Sequence, residues 1–191
     1  WSSDVCSSDL EGVAEVIGAR LIVVGAQTSA VTAIEAASPA EVGADRIANA
    51  TAAAALYGSP SIVVDFGTAT NIDVVNEHGA YIGGCIAPGI RVSLDALTAR
   101  AARLASVPLE APAHAIGRNT VEAVQSGTVV GAAAMAEGLV ARIKRELGRD
   151  DACVIATGGL AGIVSEATDV FDVVDTQLTI KGICEIYRRL A

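Results

Sequence analysis

The stretch Ser61-Ile62-Val63-Val64-Asp65-Phe66-Gly67-Thr68-Ala69-Thr70-Asn71-Ile72-Asp73-Val74-Val75 constrains this chain more than any other part of it. It reads as a buried strand, a tight polar break and a second strand. The break holds one carboxylate, one glycine and two threonines. Glycine lets a backbone come close to a ligand, and exposed N–H groups with threonine hydroxyls hold phosphate oxygens. Asp65, at the strand end, is placed to hold a cation beside those oxygens. After the turn Asn76-Glu77-His78-Gly79, residues 80–89 return as a third strand. Taken alone, D-x-G-T also fits an ordinary Asp-Gly hairpin turn, so the rest of the chain has to decide.

Residues 1–10, WSSDVCSSDL, fit no structural period and begin with Trp. They look like a translated sequencing adapter and are set aside from fold reasoning. From Glu11 the chain reads as a native protein entered in mid-sequence, which implies a missing N-terminal portion. The expected organisation is therefore an extraneous 1–10, a remnant of an N-terminal ATPase-like domain at 11–37, and a C-terminal domain at 38–191.

Composition excludes several classes. The net charge of −9 becomes −7 when Asp4 and Asp9 are removed with the first ten residues, and neither value suits nucleic acid. Gly, Pro and charges interrupt every apolar run before it reaches membrane-spanning length, so no membrane partner is expected. The hydrophobic fraction of 52% builds a full core, and with aromatics at 3% that core is mostly Ala, Val, Ile and Leu. Cys85, Cys153 and Cys184 are widely spaced in apolar runs and read as buried thiols of a cytoplasmic protein.

Val13, Val16 and Ile17 fit the end of an amphipathic helix, and Leu21–Val24 a short buried strand, followed by a loop over 25–37. Ser38-Pro39-Ala40-Glu41 carries a capping-box pattern and predicts a helix running from there to about Tyr57. Strands are expected at about 61–66, 71–76 and 80–86, then a helix bearing Leu94, Leu97 and Leu104. Asn119-Thr120-Val121-Glu122 opens the longest helical region, about 120–147, whose Gly127, Gly131 and Gly138 permit close helix packing at a cost in propensity. A strand at 152–156 ends in Thr157-Gly158-Gly159. A helix near 160–167, a strand at 170–174 and a closing helix at 179–190 follow. This order indicates a mixed α/β sheet covered by helices.

A strand, a phosphate loop and a hairpin in succession resemble the nucleotide-binding core of actin-like (ribonuclease H-like) kinases. Four clusters sharpen that likeness: Gly43-Ala44-Asp45-Arg46, Asp65-Phe66-Gly67-Thr68, Asn119 through Gly127, and Ala156-Thr157-Gly158-Gly159-Leu160. Together with Gly83-Gly84-Cys85-Ile86-Ala87-Pro88-Gly89 and Leu178-Thr179-Ile180-Lys181-Gly182, they resemble the type III pantothenate kinase family over nearly all of 11–191. The resemblance implies ATP-dependent phosphorylation of pantothenate to 4′-phosphopantothenate, the first step of coenzyme A synthesis, in a cytoplasmic homodimer. It implies that Gly43, Ala44, Asp45, Arg46 and Thr120 bind pantothenate, with Asp45 as proton acceptor. It implies that Thr68 contacts ATP, which comes with Mg²⁺, and that Asp65 binds a monovalent cation, K⁺ or NH₄⁺. Two departures stand out. The family's first phosphate loop, D-x-G-N-T, is absent from this sequence, so the chain itself is expected to have little activity. Ala36 also occupies the place where many members carry a pantothenate-contacting Tyr.

The residues admit other readings. Asp45 and Arg46 fall in the second turn of the expected helix and suit a solvated face. Thr120 suits a helix cap, Gly158-Gly159 a strand-to-helix turn, and His78 and His114 a turn and a loop. Two alternative functions remain at this level: another actin-like small-molecule kinase, or a non-catalytic regulatory protein. G-A-D-R argues against the first. The acidic charge and the full set Asp45, Asp65, Thr68 and Thr120 argue against the second.

Overall fold

The unbroken apolar run Ile62-Val63-Val64 demands a strand covered on both faces, and a computed structural model shows how the chain supplies that cover. It describes residues 14–16, 18, 20–25, 32–100 and 107–190. Residues 1–10, with Cys6, and Val13, Ile17 and Leu104 lie outside the described residues. A 3₁₀ turn, Pro39–Glu41, leads to α1 (Ala44–Leu56). Strands β1 (Ser61–Phe66), β2 (Ala69–Val75) and β3 (Tyr81–Pro88) follow, then α2 (Ile90–Arg100) and α3 (Thr120–Leu147). β4 (Cys153–Thr157), α4 (Ala161–Ser165), β5 (Val173–Val174) and α5 (Leu178–Leu190) complete the order.

The five strands form one mixed sheet in the order β3-β2-β1-β4-β5. β2 runs antiparallel to both β1 and β3, whereas β4 runs parallel to β1 and to β5. Ile62, Val64, Phe66 and Ile72 share one face and pack with Ala132, Ala133, Ala136 and Val140 of α3 and with Ala161 and Val164 of α4. Val63 and Ile155 point to the other face and meet Ala52 and Ala53 of α1 and Leu178 of α5. This is the expected mixed α/β sheet with hairpin strands.

Several local expectations fail, each for a physical reason. Ser38 makes no side-chain cap, because Pro39–Glu41 closes as a separate 3₁₀ turn and Val42 is extended; Gly43 is the N-cap of α1. Asp45 and Arg46 consequently stand in the first turn of that helix. Leu21–Val24 forms no strand: Val24 packs on Ile47 and Ile186, while Leu21 and Val23 are exposed. The backbone around Ile34 instead bridges to Tyr81, with Tyr81 N–H donating to Ala33 O and Glu35 N–H to Tyr81 O, both at 2.8 Å. Cys85 and Cys153 are half-buried and Cys184 is exposed, so none of the three is the fully buried thiol expected. Helix α3 contains a π-helical turn, Ser126–Val130. By length and composition it is apolar enough to cross a membrane, contrary to the reading of the sequence, but its alanine face lies against the sheet.

None of the three glycines of α3 is used for close packing. A Cβ on Gly127 or Gly138 would meet nothing within 4 Å, and one on Gly131 only the Ser126 carbonyl at 3.9 Å. The tight approach is between α5 and α1, where a Cβ on Gly182 would lie 1.9 Å from the Ala48 carbonyl oxygen. Gly182→Ala should therefore destabilise the fold by about 1–3 kcal/mol through overpacking. Gly138→Ala, on an exposed helical position, should stabilise it by roughly 0.5–1 kcal/mol. Urea denaturation of both variants tests the pair of signs. A neutral Gly182→Ala would mean that the two helices have room to separate.

Candidate active site

Strand parity assembles the site. Asp65 faces Asn71 across the β1–β2 ladder, and Asp73, two residues further along β2, faces Val63. Asp65 and Asp73 therefore project from the same face of the sheet, the one covered by α1. In the parallel β1–β4 pair, Asp65 stands opposite Thr157, so the Gly67-Thr68 turn and the Gly158-Gly159 turn lie side by side at the carboxyl ends of these strands. Open α/β sheets characteristically bind ligands at that end.

Helix α1 brings its first two turns over these carboxylates. Arg46 Nε donates to Asp73 Oδ1 at 2.6 Å, and its guanidinium carbon stands 5.6 Å from the centroid of the Tyr81 ring. Asn49, one turn on, donates from Nδ2 to Asp65 Oδ2 at 3.0 Å, and its own Oδ1 accepts the Thr179 hydroxyl of α5 at 2.7 Å. Arg46 is thus no solvated helix-face residue. Asp45 is exposed, and its Oδ1 folds back to within 2.5 Å of where a Cβ on Gly43 would sit. Any larger residue than glycine at 43 would displace that carboxylate. Ala44 is exposed beside it, and Ala36 packs half-buried in the cluster that holds Tyr81.

The electrostatics follow from burial. Asp73 is completely buried, and burial pushes its carboxyl up to about 6 against the pull of Arg46, with the charges of Asp45 and Asp65 adding to the rise. Asp65 is also raised, first by burial and then by Asp45, while the Asn49 amide works the other way. Burial first, and then the negative charge of Asp73, pushes Tyr81 up to about 12.

Asp65 has the chemistry of a cation ligand. One carboxylate oxygen is held by Asn49, and the other faces Gly67 and Gly158. A Cβ on Gly158, whose φ is +91°, would come within 2.5 Å of that oxygen, so the turn leaves a cradle that a side chain would fill. A half-buried carboxylate in such a cradle gains from a counter-ion. No group of three His, Cys, Asp or Glu side chains among the described residues is disposed to hold a metal. Thr68 stands at the exposed tip of the β1–β2 turn, where its carbonyl accepts Gly89 N–H at 3.1 Å.

Thr120 is not brought to this cluster. It lines a separate cavity of about 690 Å³ with Ser93, Leu97, Arg118, Asn119 and Thr128 among its walls. The helix cap there is made without it: Asn119 Oδ1 accepts Glu122 N–H at 3.0 Å, and Glu122 Oε2 accepts Arg118 N–H at 2.8 Å. The Thr120 side chain is exposed. His78 sits in the exposed hairpin turn and His114 on an exposed loop, away from the carboxylates. The site residues that sequence reasoning missed are Asp73, Asn49 and Tyr81. Asp73 was out of reach of the sequence, because the expected four-residue break between strands gives the opposite parity; the observed pairing of Phe66 with Thr70 puts it on the face of Asp65.

Titration of Asp73 is expected to leave a mark on stability. Its folded value of about 6 lies above its ordinary 3.8. Between those values the folded chain holds a proton that the unfolded chain has released, so stability falls as pH rises from about 4 to about 6. Asp73→Asn abolishes this contribution. The stability difference between parent and variant should shift by a few kcal/mol across that window, measured by urea denaturation at each pH. A pH-independent difference would contradict the assignment.

Comparison with known proteins gives the family. The family model for type III pantothenate kinase matches residues 4–142. A type III pantothenate kinase from Thermomicrobium roseum is 54% identical over 170 residues, which cover 89% of this chain and 65% of its own. One from Moorella thermoacetica is 45% identical, covering 94% of this chain and 70% of its own. One from Streptomyces griseus is 53% identical, covering 80% and 58%. The chain thus spans 58–70% of the length of these relatives. Among solved structures, a Campylobacter jejuni protein assigned to the Baf family of transcriptional activators superposes with a TM-score of 0.53 at 22% identity. It covers 75% of this chain and 64% of its own. The activator of 2-hydroxyisocaproyl-CoA dehydratase from Clostridium difficile, with bound ADPNP, superposes at 0.50 with 11% identity, covering 97% and 81%. These two likenesses concern the fold, whereas the family match and the close relatives place the chain in the type III pantothenate kinase family.

Proposed function

We propose that the protein to which this chain belongs phosphorylates pantothenate with ATP, and that Asp45, Arg46, Asp65 and Thr68 carry the chemistry. The observation that carries this reading is the meeting of α1 with the carboxyl end of β1. One helix start presents an exposed carboxylate and an anchored guanidinium beside a second carboxylate in a glycine cradle. Phosphoryl transfer needs the nucleotide positioned, its charge neutralised and the acceptor hydroxyl relieved of its proton. The Gly67-Thr68 and Gly158-Gly159 turns suit the phosphates. A K⁺ or NH₄⁺ ion held by Asp65 would supply neutralising charge there, and Mg²⁺ comes with the nucleotide. Asp45, exposed and beside Gly43 and Ala44, suits the role of proton acceptor for the pantothenate hydroxyl. Arg46 suits the pantothenate carboxylate.

Thr120 completes the substrate site in this reading through a second copy of the chain. Its separation from Asp45, and the exposed apolar Leu97, Ile116 and Val121 near it, support a homodimer in which the two cavities are shared. A cytoplasmic location goes with this reading, as do the free thiols Cys85, Cys153 and Cys184.

Two substitutions in the full-length enzyme, extended upstream to the length of its relatives, separate the roles. Asp45→Asn should lower kcat by about 10²–10⁴-fold, the scale of a lost general base, while pantothenate still binds. Asp65→Asn should leave the proton transfer intact but weaken ATP use and erase the preference for potassium over sodium. Coupled ADP-release assays with titrated cations read both. An Asp45→Asn enzyme within about twofold of the parent in kcat would remove the general base from the reading.

A further inference from the structure

Asp73 is the most deeply buried carboxylate among the described residues, and the proposed chemistry does not use it. It is fully buried, its Oδ1 accepts from Arg46 Nε at 2.6 Å, the Tyr81 side chain stands against it, and its Oδ2 is left without a hydrogen bond of good geometry. As a stabilising device this pair is poor. Burying a carboxylate costs several kcal/mol, and bonding that leaves one oxygen poorly satisfied returns little of it. What the pair does well is orient. A guanidinium held through Nε keeps its terminal fork, Nη1 and Nη2, for a second carboxylate in bidentate geometry. Tyr81, completely buried with its ring 5.6 Å from the guanidinium carbon, limits rotation of the plane about that bond. Gly84 stands directly opposite Asp73 on β3, and from that strand it is Tyr81 that reaches the carboxylate, beside Arg46.

We infer that Asp73 is a positioning residue for substrate recognition: it holds Arg46 by Nε so that the terminal nitrogens of the guanidinium take the carboxylate of pantothenate. The inference rests on the pantothenate kinase reading above. It adds a residue outside the G-A-D-R cluster that acts through Arg46 without touching substrate. A flexible arginine would pay for its ordering at each binding event, and Asp73 removes that cost in advance.

The test is a steady-state comparison on the full-length enzyme. Asp73→Asn should raise the KM for pantothenate by about 10–100-fold, the scale of a lost charge-assisted hydrogen bond. Both kcat and the KM for ATP should stay within about threefold of the parent, since Asp73 touches neither the reacting atoms nor the nucleotide. Arg46→Lys should give a similar rise in the pantothenate KM. The double variant should be no worse than the worse single one, because the two residues act as one unit. A normal pantothenate KM in a folded Asp73→Asn enzyme would overturn the inference and leave the functional reading standing. So would additive defects in the double variant. A parent enzyme that does not phosphorylate pantothenate would bring down both. Where Asp73→Asn fails to fold, the parent still answers by nitrogen-15 NMR. The Arg46 Nε–H resonance, identified by its loss in Arg46→Lys, should be protected from exchange with water. Rapid exchange at that proton would overturn the inference as well.

Discussion

Two carboxylates on a buried sheet face set the terms for the rest of the molecule. Asp65 and Asp73 share the face of β1 and β2 that α1 covers, and a desolvated carboxylate there needs a donor or a cation. Helix α1 answers with two residues three apart, Arg46 and Asn49, on the side it turns to the sheet. Its remaining turns are Ala-rich, with Ala48, Ala50, Ala52 and Ala53 completely buried. Small residues let the helix axis come close enough for the Arg46 and Asn49 side chains to reach. The same closeness is why Gly182 of α5 lies against the Ala48 carbonyl with no room for a methyl group.

The carboxyl-terminal helix is tied to the site by a polar chain as well as by apolar packing. The Thr179 hydroxyl donates to Asn49, which donates to Asp65, so the far end of the sequence orients the proposed cation ligand. At the other end of α1, Asp175 accepts the Tyr57 hydroxyl and the Lys181 ammonium, both at 2.8 Å. Burial opposes the charge on Asp175, but these bonds hold its carboxyl below the ordinary carboxylate range. A helix pinned at both ends by side-chain bonds resists the sliding that apolar alanine faces alone would permit. That rigidity suits a site in which a carboxylate and a guanidinium on α1 must keep register with a turn on β1.

How far the primary structure led can be judged from particular residues. The strand pattern from Ser61 to Pro88, the polar break at Asp65–Thr68 and the Asn119 cap were legible because each is local. Alternation states which side chains share a face, glycine marks a turn, and an N-cap acts within four residues. The same local logic misread Ser38, because a capping box and a 3₁₀ turn draw on the same first few residues, and Pro39 serves either. It could not say whether Gly127, Gly131 and Gly138 have a close neighbour, because a helical glycine permits close packing without requiring it, and here none is used. It misread Cys184, which lies in an apolar stretch but on the outer side of α5.

By itself, then, the sequence determined the fold class, the succession of strands around the polar break and the motif residues of the family. Only the tertiary structure decided which partner each of those residues meets. Arg46 could be a solvated helix residue until α1 is laid on the sheet, and it is then the partner of Asp73, 27 residues away. Asn49 lies 130 residues from Thr179 and acquires a role only when α5 packs on α1. Thr120, matched to the same substrate site by motif, lines a cavity whose walls include neither Asp45 nor Arg46. The physical reason is one of range. Backbone periodicity and turn chemistry act over a few residues and fix which face a side chain occupies. Charge pairing and close packing act across the fold, and they depend on which element covers that face.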